Sequence, residues 1–158
     1  MKKAIFILIV LSSSLFIFSC GGDGNTNENN QEKTVEGGTE DYDPKRGEGK
    51  FSAENLVVGA SIDVDMATKG EAISGTKCTS CHKLSEEKLV GPGWKGVTKK
   101  RELYWIMNFI TNPDPMIEKD PEIQAQLELC LVRMPNQNLS DEEARSIVEF
   151  MRKNDEAK

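Results

Sequence analysis

The sequence of 158 residues contains a single histidine, His82. A structural zinc site takes four cysteine or histidine ligands, usually as two closely spaced pairs. The cysteines outside the neighbourhood of His82 are Cys20 and Cys130, and they lie far apart in the sequence. The shortage of histidine therefore argues against a zinc centre.

Aromatic residues are also scarce, at 6% of the sequence, which is little for a self-sufficient hydrophobic core. With 37% apolar and 29% charged residues, the composition fits one domain that has a modest hydrophobic core and a soluble exterior. The formal net charge of −6 leaves no basic surface of the kind that nucleic-acid binding needs. No alternating pattern indicates a strand, and no internal repeat is present.

The pentapeptide CTSCH, from Cys78 to His82, is the most informative part of the sequence. Two cysteines two residues apart, followed directly by histidine, form the attachment sequence of c-type haem. Each thiol adds across a vinyl group of the porphyrin, and the histidine binds the iron. A thioredoxin-like redox pair would need a βαβ setting, which the surrounding sequence lacks. The motif predicts one haem c, held covalently by Cys78 and Cys81, with His82 as an iron ligand.

Haem iron has a second axial position, where a thioether favours the ferrous state. Among the six methionines, Met116 and Met134 are expected to lie in loops. Pro135 restricts the residue before it to extended conformations. Met134 is therefore the favoured second ligand, and Met116 is the alternative. With two cysteines assigned to haem, Cys130 is expected to be a small buried side chain on a helix.

The first 19 residues have the pattern of a secretory leader, with two lysines before a short apolar run. The end of this run, IFSCG, is similar to a bacterial lipoprotein leader, which implies cleavage before Cys20 and attachment of lipid to it. An uncleaved anchor helix or an ordinary secreted leader are the alternatives. Residues 20–64 are predicted to form a flexible acidic tether. Residues 51–65 are ambiguous, since Leu56 to Val58 and Ile62 could dock on the domain.

From about residue 65 the pattern becomes helical. It predicts an all-α domain over residues 65–158, with about four helices around one covalently bound haem. Helix starts are indicated by capping boxes and by proline at a first helical position; the predicted caps are Thr68, Thr98, Asp120 and Ser140.

The order of CTSCH, LVGPGWKGV and RMPNQNLSDEEARSIVEFM resembles that of the bacterial monohaem class I cytochromes c, over about residues 65–158. In that family, the ring nitrogen of the histidine that does not bind iron donates a hydrogen bond to a backbone carbonyl. The resemblance implies that Pro92 supplies this carbonyl to His82. Such a bond fixes the tautomer of the ligand and makes it more basic.

The resemblance also implies that the first and last helices cross at a small residue against an aromatic one, at Gly70 and Phe150. One position departs from the family. Ser74 stands where an aromatic residue usually precedes the first haem cysteine, so Ile73 or Trp94 is expected to replace its packing against the haem.

For function, the resemblance to cytochromes c implies a one-electron carrier rather than an enzyme. The similarity of the leader to lipoprotein leaders implies a lipid anchor on the periplasmic side, at the outer face of the cytoplasmic membrane or at the outer membrane. Its donor and acceptor would be redox proteins of membrane complexes. A haem-relay subunit of a reductase or oxidase complex and a gas sensor are alternatives. Six basic residues from Lys83 to Arg101 are expected to border the haem edge and guide docking. Trp105 and Tyr104 are candidate donors to the haem propionates.

Overall fold

A computed structural model describes residues 42–156 of the chain. This region contains six α-helices and no β-strand, which confirms the predicted all-α class. The helices are α1 (Val64–Lys77), α2 (Val97–Lys100), α3 (Leu103–Thr111), α4 (Pro113–Lys119), α5 (Pro121–Cys130) and α6 (Asp141–Glu156). Four of them correspond to the predicted helices, and the short α2 and α4 are additional. The predicted leader over residues 1–19, Cys20 and the first part of the tether lie outside the described residues.

The crossing of α1 and α6 is the most extensive helix contact in the described region, and it depends on Gly70. A Cβ at this position would lie 2.0 Å from the carbonyl oxygen of Ser146 and 2.9 Å from the nitrogen of Ile147. The predicted close approach at Gly70 is therefore present. The backbone that it meets lies one turn before Phe150, which is itself buried in the core.

Two of the four predicted helix caps are confirmed. The Asp120 side chain accepts from the backbone nitrogens of Glu122 and Ile123 at the start of α5. At the start of α6, Ser140 and Glu143 form a reciprocal capping box, with distances of 2.8 and 3.2 Å.

The caps predicted at Thr68 and Thr98 are wrong. Helix α1 starts earlier, at Val64, and its N-cap is Asp63, whose side chain accepts from the nitrogen of Met66 at 2.9 Å. Thr68 lies inside α1, where its hydroxyl donates to the carbonyl of Val64. Thr98 lies inside the short α2. Threonine in a helix can satisfy its hydroxyl on the preceding turn, so its presence alone does not mark a helix start.

The loop predicted after α3 is instead a helix. Pro113 follows the end of α3 and begins α4, because proline fits the first turn, where its missing N–H is not needed. Met116 therefore lies in α4, fully buried, rather than in a loop. Its side chain packs beneath Gly47, where a Cβ would lie 2.9 Å from the methionine sulfur.

Residues 42–63, here called the N-terminal arm, contact the helices. Docking of residues 51–65 was one expectation from the sequence, whereas the contacts of residues 42–50 were not expected from the predicted tether. Asn108 in α3 is the main fastening point. Its buried amide accepts from the nitrogen of Phe51 at 2.8 Å and donates to the carbonyls of Phe51 and Arg46 at 2.9 and 3.0 Å. The Phe51 ring joins the core, and burial of such a side chain stabilises the fold by about 1.5–3 kcal/mol.

The arm is also held at both of its ends. At one end, the Tyr42 hydroxyl donates to the Asp120 carboxylate at 2.5 Å. Near the other end, Arg152 in α6 donates to the carbonyls of Gly59 and Ala60 at 3.0 and 3.1 Å. Arg152 is itself held by the buried Glu149 at 2.9 Å. The arm thus belongs to the folded domain, which begins before the predicted boundary at residue 65.

None of the helices in the described part of the chain has the length and apolar character needed to cross a membrane.

Candidate haem-binding site

A cavity of about 610 Å³ lies beside the CTSCH motif. Cofactor pockets commonly measure roughly 300–1,000 Å³, so its size is sufficient for a large organic group. Its walls come from the end of α1, the loop before α2, α3, the first turns of α5, the loop before α6, and α6 itself. Residues of the predicted site that line it are Cys78, Cys81, His82, Pro92 and Met134.

The His82 ring is held in one orientation. Its Nδ1 atom lies 2.8 Å from the carbonyl oxygen of Pro92, so the hydrogen bond implied by the resemblance is present in the structure. Because a carbonyl only accepts, Nδ1 must carry the proton, and Nε2 keeps a free lone pair. Burial lowers the pKa of His82, and the bond to Pro92 partly opposes this. The ring is therefore kept neutral, the form that binds metals.

Gly91 allows the loop backbone to lie directly against this ring. A Cβ at position 91 would be 2.5 Å from Cε1 of His82 and 2.9 Å from Nδ1. The loop is fixed there because the nitrogens of Val90 and Gly91 both donate to the carbonyl of Cys81, at 3.1 and 2.9 Å. Only glycine leaves room for the imidazole at this place.

Both cysteines of the motif are free thiols facing the same cavity. The turn that follows α1 presents them, since the nitrogens of Cys81 and His82 both donate to the carbonyl of Cys78 at 3.0 Å. Cys78 is buried, and burial raises the pKa of its thiol.

Met134 lies in the loop before α6, half-buried, and lines the main cavity. It also lines a smaller adjoining cavity of about 90 Å³, together with His82. Among the described residues, the other methionine of the main cavity is Met151, which comes from α6. The alternative ligand, Met116, lines neither cavity. Cys130 ends α5, half-buried, at the smaller cavity.

Of the two residues expected to replace the aromatic packing missing at Ser74, Trp94 is the one that faces the cavity. It is buried, lines the main cavity, and lies 5.7 Å from the His82 ring, centroid to centroid. Ile73 packs against the core but is not part of the cavity wall. Ser74 itself is fully buried, and its hydroxyl has no hydrogen-bond partner among residues 42–156.

A charged group at the rim of the cavity was not expected from the sequence. The guanidinium of Arg101 lies 4.4 Å from the centre of the Trp105 ring, which in turn stacks on Phe109 at 5.4 Å. Arg101 also forms an ion pair with Glu122 from α5. All four residues line the cavity, whereas the candidate Tyr104 does not. No local motif brings α3 and α5 together, so only the fold reveals this group.

The basic segment from Lys83 to Arg101 is largely engaged in contacts within the domain. The contacts are Lys83 with Glu87, Lys88 with the Leu129 carbonyl, Lys95 with the Asn154 carbonyl, and Arg101 with Glu122. Lys88, Lys99 and Lys100 are exposed. Carboxylates balance the charges of Lys83 and Arg101, so the segment offers less net positive charge than its lysines and arginine alone indicate.

Comparison with known proteins agrees with this geometry. A family model described as cytochrome c matches residues 67–155. Cytochrome c from Rhodothermus marinus is 35% identical, with a TM-score of 0.63, over 67% of this chain and 90% of that chain. An engineered cytochrome c from the same organism is 34% identical, with a TM-score of 0.63, over 68% of this chain and 92% of that chain. No curated protein matches the chain.

The residues present fit a haem c group. Two free thiols, a neutral imidazole with an accessible lone pair and a methionine thioether share one cavity, and Gly91 makes the space in which the imidazole lies. The chain belongs to the cytochrome c family, whose members carry electrons on a haem c attached through two cysteines, here Cys78 and Cys81.

Proposed function

We propose that this protein is a membrane-tethered one-electron carrier in which His82 and Met134 are the two axial ligands of the haem iron. The carrying observation is the His82 geometry, with Nδ1 committed to the Pro92 carbonyl and the neutral ring facing a cavity that Met134 also lines. An imidazole and a thioether together suit an iron that changes oxidation state without changing ligands.

Haem c supplies a one-electron ferric–ferrous couple. The residues of the chain control this couple in three ways. The Pro92 hydrogen bond keeps the His82 ring in place and increases its basicity. The thioether of Met134 favours the ferrous state. The buried side chains of Trp94, Trp105 and their neighbours exclude water, which favours the state of lower net charge.

The proposed anchor is a lipid on Cys20. This residue lies outside the described region, so the leader sequence and its similarity to lipoprotein leaders support the proposal. The N-terminal arm shortens the tether that composition alone suggests. About 22 residues separate Cys20 from Tyr42, and a flexible chain of that length has a root-mean-square reach of about 25 Å. The domain would therefore work close to the periplasmic face of the membrane.

The proposed partners are a redox protein donor and acceptor, both in or near the same membrane. Lys88, Lys99 and Lys100 are exposed cations of the basic segment, and Lys100 lines the cavity. Because ion pairs with carboxylates balance two of the six positive charges, those of Lys83 and Arg101, we infer only modest electrostatic guidance, expressed mainly in the association rate.

The carrier function predicts that the protein, matured in a periplasm, contains one covalent haem by mass and takes up and releases one electron reversibly. The reduced protein should not bind carbon monoxide rapidly, because Met134 already fills the sixth position. Rapid binding would instead favour a gas sensor. Recovery only as a fixed-ratio complex with a catalytic protein would favour the relay subunit. A colourless protein would exclude all three.

The anchor predicts that Cys20→Ala moves the haem protein from the membrane fraction to the soluble periplasmic fraction, with an unchanged optical spectrum. A matched control is Cys130→Ala, which removes the other cysteine outside the CTSCH motif and should leave the protein in the membrane fraction. If Cys20→Ala stays with the membrane after a high-salt wash, lipid on Cys20 is not the anchor.

A further inference from the structure

The N-terminal arm lies outside the part of the chain matched by the family model, yet it contacts residues next to the haem cavity. Tyr42, at the start of the arm, donates from its hydroxyl to Oδ2 of Asp120 at 2.5 Å. Asp120 is 1% exposed, so its carboxylate depends on protein donors rather than water.

The other oxygen of Asp120 fixes part of the cavity wall. Oδ1 accepts from the nitrogens of Glu122 and Ile123, at 2.8 and 3.2 Å, and so caps α5. Both of these residues line the cavity. The carboxylate therefore touches the arm through one oxygen and the cavity wall through the other.

Glu122 extends the contact to the rim of the cavity. Its carboxylate pairs with Arg101, whose guanidinium covers the face of Trp105. Gly47 of the arm also lies against this indole, since a Cβ there would lie 3.0 Å from Cδ1 of Trp105. Trp105 therefore contacts both the arm and Arg101.

We propose that Tyr42 is a positioning residue that raises the haem reduction potential by neutralising part of the charge on Asp120. This inference rests on the proposed electron-carrier function. A buried carboxylate near the cavity favours the more positive ferric iron, because charges interact strongly where water is excluded. A hydroxyl donated to that carboxylate weakens its field. Burial, together with the bond to Asp120, raises the pKa of Tyr42, so the phenol keeps the proton that it donates.

The two members of the pair should act in opposite directions. In Tyr42→Phe the Asp120 carboxylate loses a hydrogen-bond donor. Its negative charge then stabilises the ferric state more strongly relative to the ferrous state, so the reduction potential falls. In Asp120→Asn the negative charge disappears, while asparagine still caps α5, so the potential rises. A shared loss of stability would not produce opposite signs.

The test is a spectroelectrochemical titration of the full-length holoprotein. Tyr42→Phe is expected to raise the ferric-to-ferrous ratio two- to fivefold at a fixed solution potential, a fall of roughly 18–41 mV at 59 mV per tenfold. In an Asp120→Asn background the same substitution should have little effect. Unfolding midpoints of the two single variants and the double variant should be non-additive, because the two groups are in contact.

Tyr104→Phe is the matched control, since it removes the other tyrosine hydroxyl of the chain, from a residue that does not line the cavity. Its potential should equal that of the wild type. The inference is overturned if Tyr42→Phe also leaves the potential unchanged, or if Tyr42→Phe and Asp120→Asn shift it in the same direction. A wild-type protein without a reversible couple would refute the proposed function instead.

Discussion

Met134→Ala is expected to abolish the weak far-red absorption band that a methionine–iron bond gives to ferric haem. The reduction potential should fall by on the order of 100 mV or more, since axial ligands set haem potentials over roughly 0.8 V. The physical reason is the loss of a soft ligand that favours ferrous iron. An optical spectrum and a redox titration of the oxidised variant measure both effects.

Two controls separate this ligand from other methionines. Met151→Leu changes the other methionine that lines the cavity, and Met116→Leu changes the one buried beneath Gly47. Leucine keeps most of the volume, so both variants should fold and retain the band. Survival of the band in Met134→Ala, or its loss in Met151→Leu, would contradict the assignment.

Gly70→Ala is expected to destabilise the protein by about 3 kcal/mol or more. The added methyl group would lie 2.0 Å from the carbonyl oxygen and 2.5 Å from the carbonyl carbon of Ser146. Both atoms are backbone of α6 and cannot turn aside, so α1 and α6 must separate and lose packing along the crossing. The gain in helix propensity from glycine to alanine, about 1 kcal/mol, does not offset this. Denaturant unfolding of the holoprotein measures the change.

Gly75 offers a control on the same helix. A Cβ at that position meets no atom within 4 Å, so Gly75→Ala should be neutral or stabilise the protein by up to about 1 kcal/mol. Equal unfolding midpoints for the two variants would show that the crossing does not depend on the absence of a side chain at position 70.

The sequence predicted those parts of the fold in which a local signal and its structural consequence lie close together. Asp120 before proline, and Ser140 three residues before Glu143, mark helix starts through contacts within one turn. Thr68 and Thr98 carry similar signals but lie inside helices, because neighbouring residues supply stronger caps or begin the helix earlier. Periodicity alone does not choose between such candidates.

The sequence left docking of residues 51–65 open, but the contacts of residues 42–50 could not be predicted, because they depend on residues distant in the sequence. Asn108 sits among apolar residues of α3, and nothing near it in the sequence indicates that its amide meets the backbone of Phe51 and Arg46. The segment before Phe51 has few apolar residues, so its composition resembles that of a flexible chain. The segment is held in place by hydrogen bonds to buried groups, and such bonds cannot be predicted from amino-acid composition.

The same contrast applies to the site. The CTSCH motif indicated Cys78, Cys81 and His82, and the family resemblance added Pro92, whose contact with His82 is seen in the structure. The ion pair at the rim joins Arg101, which lies between α2 and α3, to Glu122 in α5. No sequence pattern links these two residues. The residues that would attach the haem and bind its iron could be predicted from the sequence. The charged residues around the cavity could not.

The amide of Asn108 also has a mechanical consequence. If the chain is anchored through Cys20 as proposed, a pulling force on the anchor enters the described region at Tyr42 and passes along the arm before it reaches α1. The three hydrogen bonds of Asn108 join its side chain to the backbone of the arm at Arg46 and Phe51, so they would share this force. Under the proposed anchoring, these bonds would hold the arm on α3 and limit the force that reaches α1 and its crossing with α6.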